Sequence, residues 1–336
     1  MTRPMRRAAV VVAVLVLVAV GWLYHRLSDR PDLAAYDRYH LRAASAGDGP
    51  RVNVTFLGVS TLLIDDGSTA LMIDGFFTRP SKLATLVTRI APDRDVIAAS
   101  LARLGVERLA AVIAVHSHYD HAMDAPEVAR RTGALLIGSE STANIGRGWE
   151  LPETQIRVAT PGEPMPFGAF RVTLIPSQHF PHGMAMGEIT EPLVPPVRAD
   201  AYQEGGSYSV LIEHPLGRLL VQSSAGWKDG ALNGRQADVV LLGIGGLATR
   251  DDTYRDDYWR EVVEAVGARC VIPVHWDDFT LPLSEPLHPA PRLLDDVDAS
   301  MAFLVERTSA ERLQLGLLPS WQPVPLLGAG ATCGRM

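Results

Sequence analysis

The sequence predicts an α/β protein in which two sheets pack against each other with helices outside, preceded by one N-terminal transmembrane helix. Three observations carry this. Apolar runs of strand length recur from Arg51 onward in two strand-rich halves, each followed by helical patterns, which is the order of a layered sandwich. An unbroken apolar run from Ala8 to about Tyr24 follows Arg3, Arg6 and Arg7. A short strand of buried type, LAAVIAV, runs directly into the cluster HSHYDH, residues 116–121.

The N-terminal run, as a helix rising 1.5 Å per residue, would span roughly 26 Å, enough to cross a bilayer. It is longer than a signal-peptide core and no clear A-x-A site follows it, so residues 1–27 read as an uncleaved anchor in preference to a removed signal. The arginines stay on the cytoplasmic side, so the body is expected outside the cytoplasm. Residues 28–50 are polar and read as a tether. The body, 51–320, opens on VNVTFLGVSTLLIDDGSTALMIDGFF, consecutive strands with Asp65-Asp66-Gly67 as a turn. A helical stretch breaks at Pro92 and resumes through DVIAASLARLG, ending on Gly105 as helices commonly do.

After the histidine cluster, Asp124 stands where an N-cap is expected for APEVARRTGA, with Pro126 in the first turn and Gly133 at the end. The cluster therefore lies between a strand and a helix. ALLIG, QIRVAT, FRVTLIP, SYSVLIE, GRLLVQS and ADVVLLGI follow as strands, and helices at about Arg255–Val266 and Arg292–Thr308 flank the strand RCVIPV. Residues 184–205, carrying Pro192, Pro195 and Pro196, read as an inserted loop, and the Gly-rich segment 321–336 as a frayed tail.

Composition excludes several classes. Thirty-one basic against 38 acidic residues give a net charge of -7 with no basic block, so there is no nucleic-acid footprint. Cys270 and Cys333 are the only cysteines; a disulfide between them is possible and a metal role is not expected. Ser223 and Ser224 lack the G-x-S-x-G elbow of a serine hydrolase.

The chemistry is carried by His116, His118, Asp120 and His121. His116 and His118, two apart, can turn to one side of an extended loop and hold one ion; Asp120 and His121 can face a second. Imidazoles with a carboxylate suit Zn²⁺, one or two per chain, with Mn²⁺ or Fe²⁺ as the other fits. Clustered histidines can also be mere solvated loop residues, but an apolar strand delivering them to a sheet edge argues against that.

The pattern H-x-H-x-D-H resembles the signature of the metallo-β-lactamase superfamily, and the likeness runs from about Arg51 to about Leu318. FLGVSTLLID, LMIDGFF and VIPVHWDDF are similar to the branch of ascorbate-phosphate lactonases and N-acyl-phosphatidylethanolamine phospholipase D. The resemblance implies the four-layer αββα metallo-β-lactamase sandwich. It also implies a third histidine for the first metal, His179 in VTLIPSQHF, with His182 as the alternative or as a pocket residue. A ligand of the second metal would be His275 in CVIPVHW, unless it is a core histidine beside Trp276. Asp74 corresponds to the family's early aspartate and would fix a ligand imidazole, the competing reading being a turn residue. One departure stands out: where many relatives place a metal-bridging aspartate, LLVQSSAGW offers Ser223 or Ser224. The second ion would then rest on Asp120, His121 and His275, as in a subclass of metallo-β-lactamases.

The function these readings imply is a metal-dependent hydrolase. A metal-bound hydroxide, oriented by Asp120 as the catalytic residue, would attack an ester-type bond, a phosphodiester or a lactone. The partners expected are a small-molecule or lipid-like substrate and, through the N-terminus, a membrane. A true β-lactamase and a metal-poor binding domain are the rival readings.

Overall fold

The structure is a computed structural model and describes residues 3–43 and 49–333. α1 (Arg3–Ser28) is long and apolar enough to cross a membrane, and those of its side chains that are described are exposed.

The body is two seven-stranded sheets. The first is built from β1 (Arg51–Phe56), β2 (Leu62–Asp65), β3 (Ala70–Ile73), β4 (Ala111–Ile113), β5 (Leu135–Gly138) and β6 (Ile156–Val158), with the C-terminal β14 (Pro323–Gly328) on its edge. The second runs β13 (Gln314–Leu315), β12 (Cys270–Val274), β11 (Val239–Gly243), β10 (Gly217–Gln222), β9 (Ser207–His214), β8 (Phe170–Ser177) and β7 (Pro164–Phe167). Each sheet has a parallel half, β3 to β6 in one and β10 to β13 in the other, and an antiparallel half.

Strand periodicity sorts the side chains into layers. Val52, Val54, Ile64 and Ile113 of the first sheet meet Val172, Val210, Val221 and Leu241 of the second in one apolar core between the sheets. Their alternates face outward. Leu63, Met72 and Val112 pack under α3 (Arg94–Leu104) and α5 (Ala125–Thr132). Leu220, Val240 and Val271 pack under α7 (Asp252–Trp259), the π-turn Arg260–Glu264 that extends it, and α8 (Val297–Glu311). The remaining helices, α2 (Lys82–Val87), α4 (Tyr119–Ala122) and α6 (Glu140–Gly148), follow β3, β4 and β5. The order helix, sheet, sheet, helix is the predicted αββα sandwich.

Three expectations are corrected. The tail from 321 is not frayed over its first part: β14 pairs with β1, and Val324 and Leu326 are buried between the sheets, because β1 would otherwise leave an open edge. The 28–50 stretch is not a slack tether: Leu33–Tyr39 forms a 3₁₀ helix whose Tyr36 is buried, and Leu41 enters the inter-sheet core, so apolar residues spaced along a polar segment dock it. Residues 44–48 lie outside the described residues. Asp124 does not cap α5 with its side chain; its carboxylate accepts from Phe77 N, Thr78 N and Thr78 Oγ1, tying the loop after β3 to this helix. Cys270 and Cys333 form a disulfide that fastens the C-terminal segment to β12.

Candidate metal centre

The histidine-bearing loops issue from the C-terminal ends of β4, β8 and β12, strands that belong to different sheets. The first loop is pinned before it turns. Val115 N donates to Asp74 Oδ1 at 3.0 Å, Val115 O accepts from Tyr208 N at 2.9 Å, and Ser117 N donates to Glu204 O at 2.8 Å. His118 then caps α4, its carbonyl accepting from His121 N and Ala122 N. The sequence pattern suggested an extended loop; a helical turn instead places Asp120 and His121 on the side of the buried pocket.

Two donor groups result. His116, His118 and His179 offer ligand atoms within 4.8 Å of one another, and so do Asp120, His121 and His275. The groups are neighbours: the rings of His116 and His121 have centroids 3.9 Å apart, and Asp120 Oδ2 lies 3.4 Å from both His121 Nε2 and His275 Nε2.

Hydrogen bonds orient most of the rings. A backbone carbonyl only accepts, so His118 must donate from Nε2 to Ala185 O, at 3.2 Å, and His179 from Nδ1 to Phe180 O, at 2.7 Å. His121 Nδ1 donates to Asp74 Oδ2 at 2.9 Å, and that oxygen also accepts from Ser60 Oγ. The free atoms are thereby His118 Nδ1, His179 Nε2 and His121 Nε2. Asp74 is fully buried with φ 58°, and through its contact with Nδ1 it holds the His121 ring of the cluster.

The buried nitrogens of His116 and Nε2 of His121 have no hydrogen-bond partner. Desolvated imidazole nitrogens without partners are costly unless something electropositive faces them, so the donor set fits divalent cations. Electrostatics agrees. Burial, reinforced by neighbouring imidazoles, holds His116 well below the usual histidine range and His179 down to about 3, and burial also lowers His118, so these rings are neutral and their lone pairs available. Burial opposes ionisation of Asp120, but the His121 and His275 imidazoles beside it hold its carboxyl well below the carboxylate range. Burial likewise opposes a charge on His121, yet the Asp120 and Asp74 carboxylates raise that ring above the usual histidine value, so an anion sits in the second group.

His182 belongs to neither group. It is half-buried, its ring centroid is 4.5 Å from that of His179 and 5.6 Å from that of His118, and its Nδ1 accepts from Met184 N. Ser223 and Ser224 are buried, and Ser224 Oγ accepts from Phe180 N, so this hydroxyl fixes the turn that carries His179. Asp120 stands where the two groups meet.

Sequence reading passed over a supporting pair. Arg79 and Asp277 form a fully buried ion pair at 2.8 Å. Asp277 Oδ1 accepts from Val59 N, and Val59 O accepts from His275 N, so the pair clamps the loop on which His275 rests. Gly58 has φ +88°, and a Cβ there would collide with the Arg79 guanidinium and the Asp277 carboxylate. Asp277 lay inside the motif VIPVHWDDF; Arg79 has no sequence signal, since its partner is almost 200 positions away.

Residues 54–270 match the metallo-beta-lactamase superfamily. The chain belongs to this superfamily. Among its relatives, a UPF0173 metal-dependent hydrolase of Heliobacterium modesticaldum is 24% identical over 271 residues, covering 77% of this chain and 92% of that relative. Among solved structures, the metallo hydrolase Igni18 of Ignicoccus hospitalis KIN4/I is 19% identical with a TM-score of 0.48, covering 81% and 97% of the two chains. CmlA, a diiron β-hydroxylase of Streptomyces venezuelae, is 13% identical with a TM-score of 0.50, covering 83% of this chain and 55% of that one. Superfamily membership and the two donor groups identify the chain as a divalent-metal-binding metallo-hydrolase.

Proposed function

We propose that the chain is a zinc hydrolase held in a membrane by α1, with its body outside the cytoplasm, and that it cleaves an ester-type bond by water attack, a phosphodiester or a lactone. The observation that carries the reading is the pair of donor groups sharing one pocket, each ring presenting a free nitrogen to it.

His116, His118 and His179 would hold one ion, and Asp120, His121 and His275 a second. Bound there, the ions supply a deprotonated water near neutral pH and a Lewis acid for the scissile oxygen. Asp120, its carboxylate beside both His121 and His275, would accept a hydrogen bond from the nucleophile and orient it. Asp74 keeps His121 from rotating. Ser224, through Phe180 N, holds the His179 turn. His182, half-exposed beside His179, is placed to donate to a substrate oxygen. A cavity of about 180 Å³ opens on His179, walled by Gln178, Trp227 and Tyr254, and would receive the group next to the scissile bond. Arg250 packs over Phe180 and Tyr254 and adds positive charge on that side, which favours an anionic diester.

The disulfide supports a body outside the cytoplasm, since oxidising compartments preserve such bonds. Similarity of LMIDGFF and VIPVHWDDF to lactonase and lipid phosphodiesterase sequences supports the substrate classes. The likeness to CmlA makes iron the ion to test beside zinc.

Metal analysis of the purified protein should find one to two zinc ions per chain, and a chelator should abolish hydrolysis that added Zn²⁺ restores. Bis(p-nitrophenyl) phosphate, a lactone and a chromogenic cephalosporin, assayed together, separate the substrate classes. Metal-free protein, inactive on all three before and after loading with zinc, iron or manganese, would leave a binding domain as the reading.

A further inference from the structure

We propose that the face made by α2, the turn at 293–294 and the strap 184–197 rests on the bilayer that α1 spans, with the mouth of the metal site at the lipid–water boundary. The proposal takes a membrane anchor as given and narrows the substrate to amphiphiles held in that bilayer.

The root of α1 is fastened to the body. Two residues past its end, Arg30 donates to Asp278 Oδ2 at 2.7 Å and to Pro289 O, and Asp29 O accepts from Arg292 N at 2.9 Å. Lys82, the first residue of α2, donates to the same Asp278 oxygen at 2.8 Å. One carboxylate oxygen thus joins the exit of the apolar helix to the start of α2. Asp278 lies three residues beyond His275.

α2 has no buried residue. Its six residues, roughly 9 Å of helix, expose Leu83, Leu86 and Val87 at 68%, 69% and 63%. A short helix turning its aliphatic side chains to water beside a transmembrane segment lacks a partner in the fold, and a bilayer supplies one.

The distribution of the other exposed aliphatics favours the same partner. Among the described residues, ten large exposed apolar side chains lie outside α1, and only Val96 and Val158 lie off the proposed face. Leu293 and Leu294 directly follow Arg292, which holds Asp29. Val194 is on the strap, which is bridged to the loop after α2 by reciprocal Ile90 and Val197 backbone bonds. Met184 and Met186, also on the strap, flank Ala185, whose carbonyl accepts from His118. The apolar track therefore runs from the root of α1 to the rim of the donor groups. Ile189 is buried and Leu193 and Val197 pack partly buried against the same cluster, so the strap's inner side is taken up by the body and its outer side is left to meet lipid.

The test uses the full chain reconstituted in phosphatidylcholine and phosphatidylglycerol vesicles. Both native cysteines are in the disulfide, so a thiol introduced by Leu86→Cys, Leu294→Cys or Val158→Cys alone takes a bimane label. Lipids brominated along the acyl chain should quench the label at 86 and 294 and leave 158 bright. Equal quenching at the three positions, or cross-linking of 86 to a second copy in place of quenching, overturns the proposal. In the double variant Leu83→Glu with Leu86→Glu, hydrolysis of a diester presented in vesicles should fall about tenfold, while a soluble nitrophenyl diester is cleaved at the wild-type rate. Equal rates on both overturn the narrowing to amphiphiles. Quenching is read whether or not the protein hydrolyses anything, so a quenched but inactive chain keeps the membrane face and sinks the catalytic reading.

Discussion

Asp74 joins three parts of the site through one carboxylate: Val115 N on the loop after β4, Ser60 Oγ on the loop after β1, and His121 Nδ1 in the second donor group. Removing it frees the ring and leaves its Nδ1–H buried without a partner. Asp74→Ala should lower the affinity of the Asp120 group for its ion about 10–100-fold, leaving about one ion per chain after dialysis, as counted by mass spectrometry of the metal. Retention of both ions would show that the ring needs no such support. Asp124 works at the same scale but on stability. Burial pushes its carboxyl up to about 6, although Thr78 and Phe77 N donate to it. A carboxyl raised above its unfolded value of 3.8 stabilises the fold below that value and gives this up as pH rises through about 6. Asp124→Asn cannot ionise, so its melting temperature relative to wild type should rise from about pH 4 to about pH 7. A difference independent of pH would contradict the assignment. Ordinary N-cap logic gave Asp124 a different role, because the sequence shows the helix that follows but not the Phe77–Thr78 loop lying across it.

At the scale of elements, the β12 turn depends on partners from the first sheet. His275 takes φ 57°, uncommon for a residue with a side chain, and is held there by Val59 O. Val59 is in turn held by Asp277, and Asp277 by Arg79. Breaking a buried pair by removing one partner strands a charge, so Asp277→Ala should destabilise the protein by about 3–5 kcal/mol in denaturant titrations. A loss under about 1 kcal/mol would mean that water reaches Arg79 easily. The elements themselves were largely readable: alternating apolar residues announced most strands, and Gly105 ends α3 in the left-handed conformation. β7, β13 and β14 were not read as strands, being short or rich in proline. Only their sheet neighbours make them strands.

For the whole molecule, the C-terminal segment closes both sheets. β14 covers the edge of β1, and Cys333 is bonded to β12, closing a loop of 63 residues. Chain entropy gives such a cross-link about 4 kcal/mol, so Cys333→Ser should lower the melting temperature markedly under oxidising conditions and have no effect in reductant. Truncation after Trp321 should be worse, giving aggregated protein, since it bares β1 along with the partners of Val324 and Leu326. A soluble truncated chain with a wild-type melting temperature would return these residues to the frayed tail first expected.

The donor residues were visible in the chain because their chemistry is local: H-x-H-x-D-H names four of them within six positions, and apolar alternation names the strands that carry them. Their convergence was not visible. His179 and His275 meet the 116–121 loop only because strands of two sheets end at one edge of the sandwich, and contacts over such separations are set by packing between layers. The same holds for Arg79 with Asp277 and for Arg30 and Lys82 with Asp278, charged residues whose partners are decided by which loops the two sheets bring together.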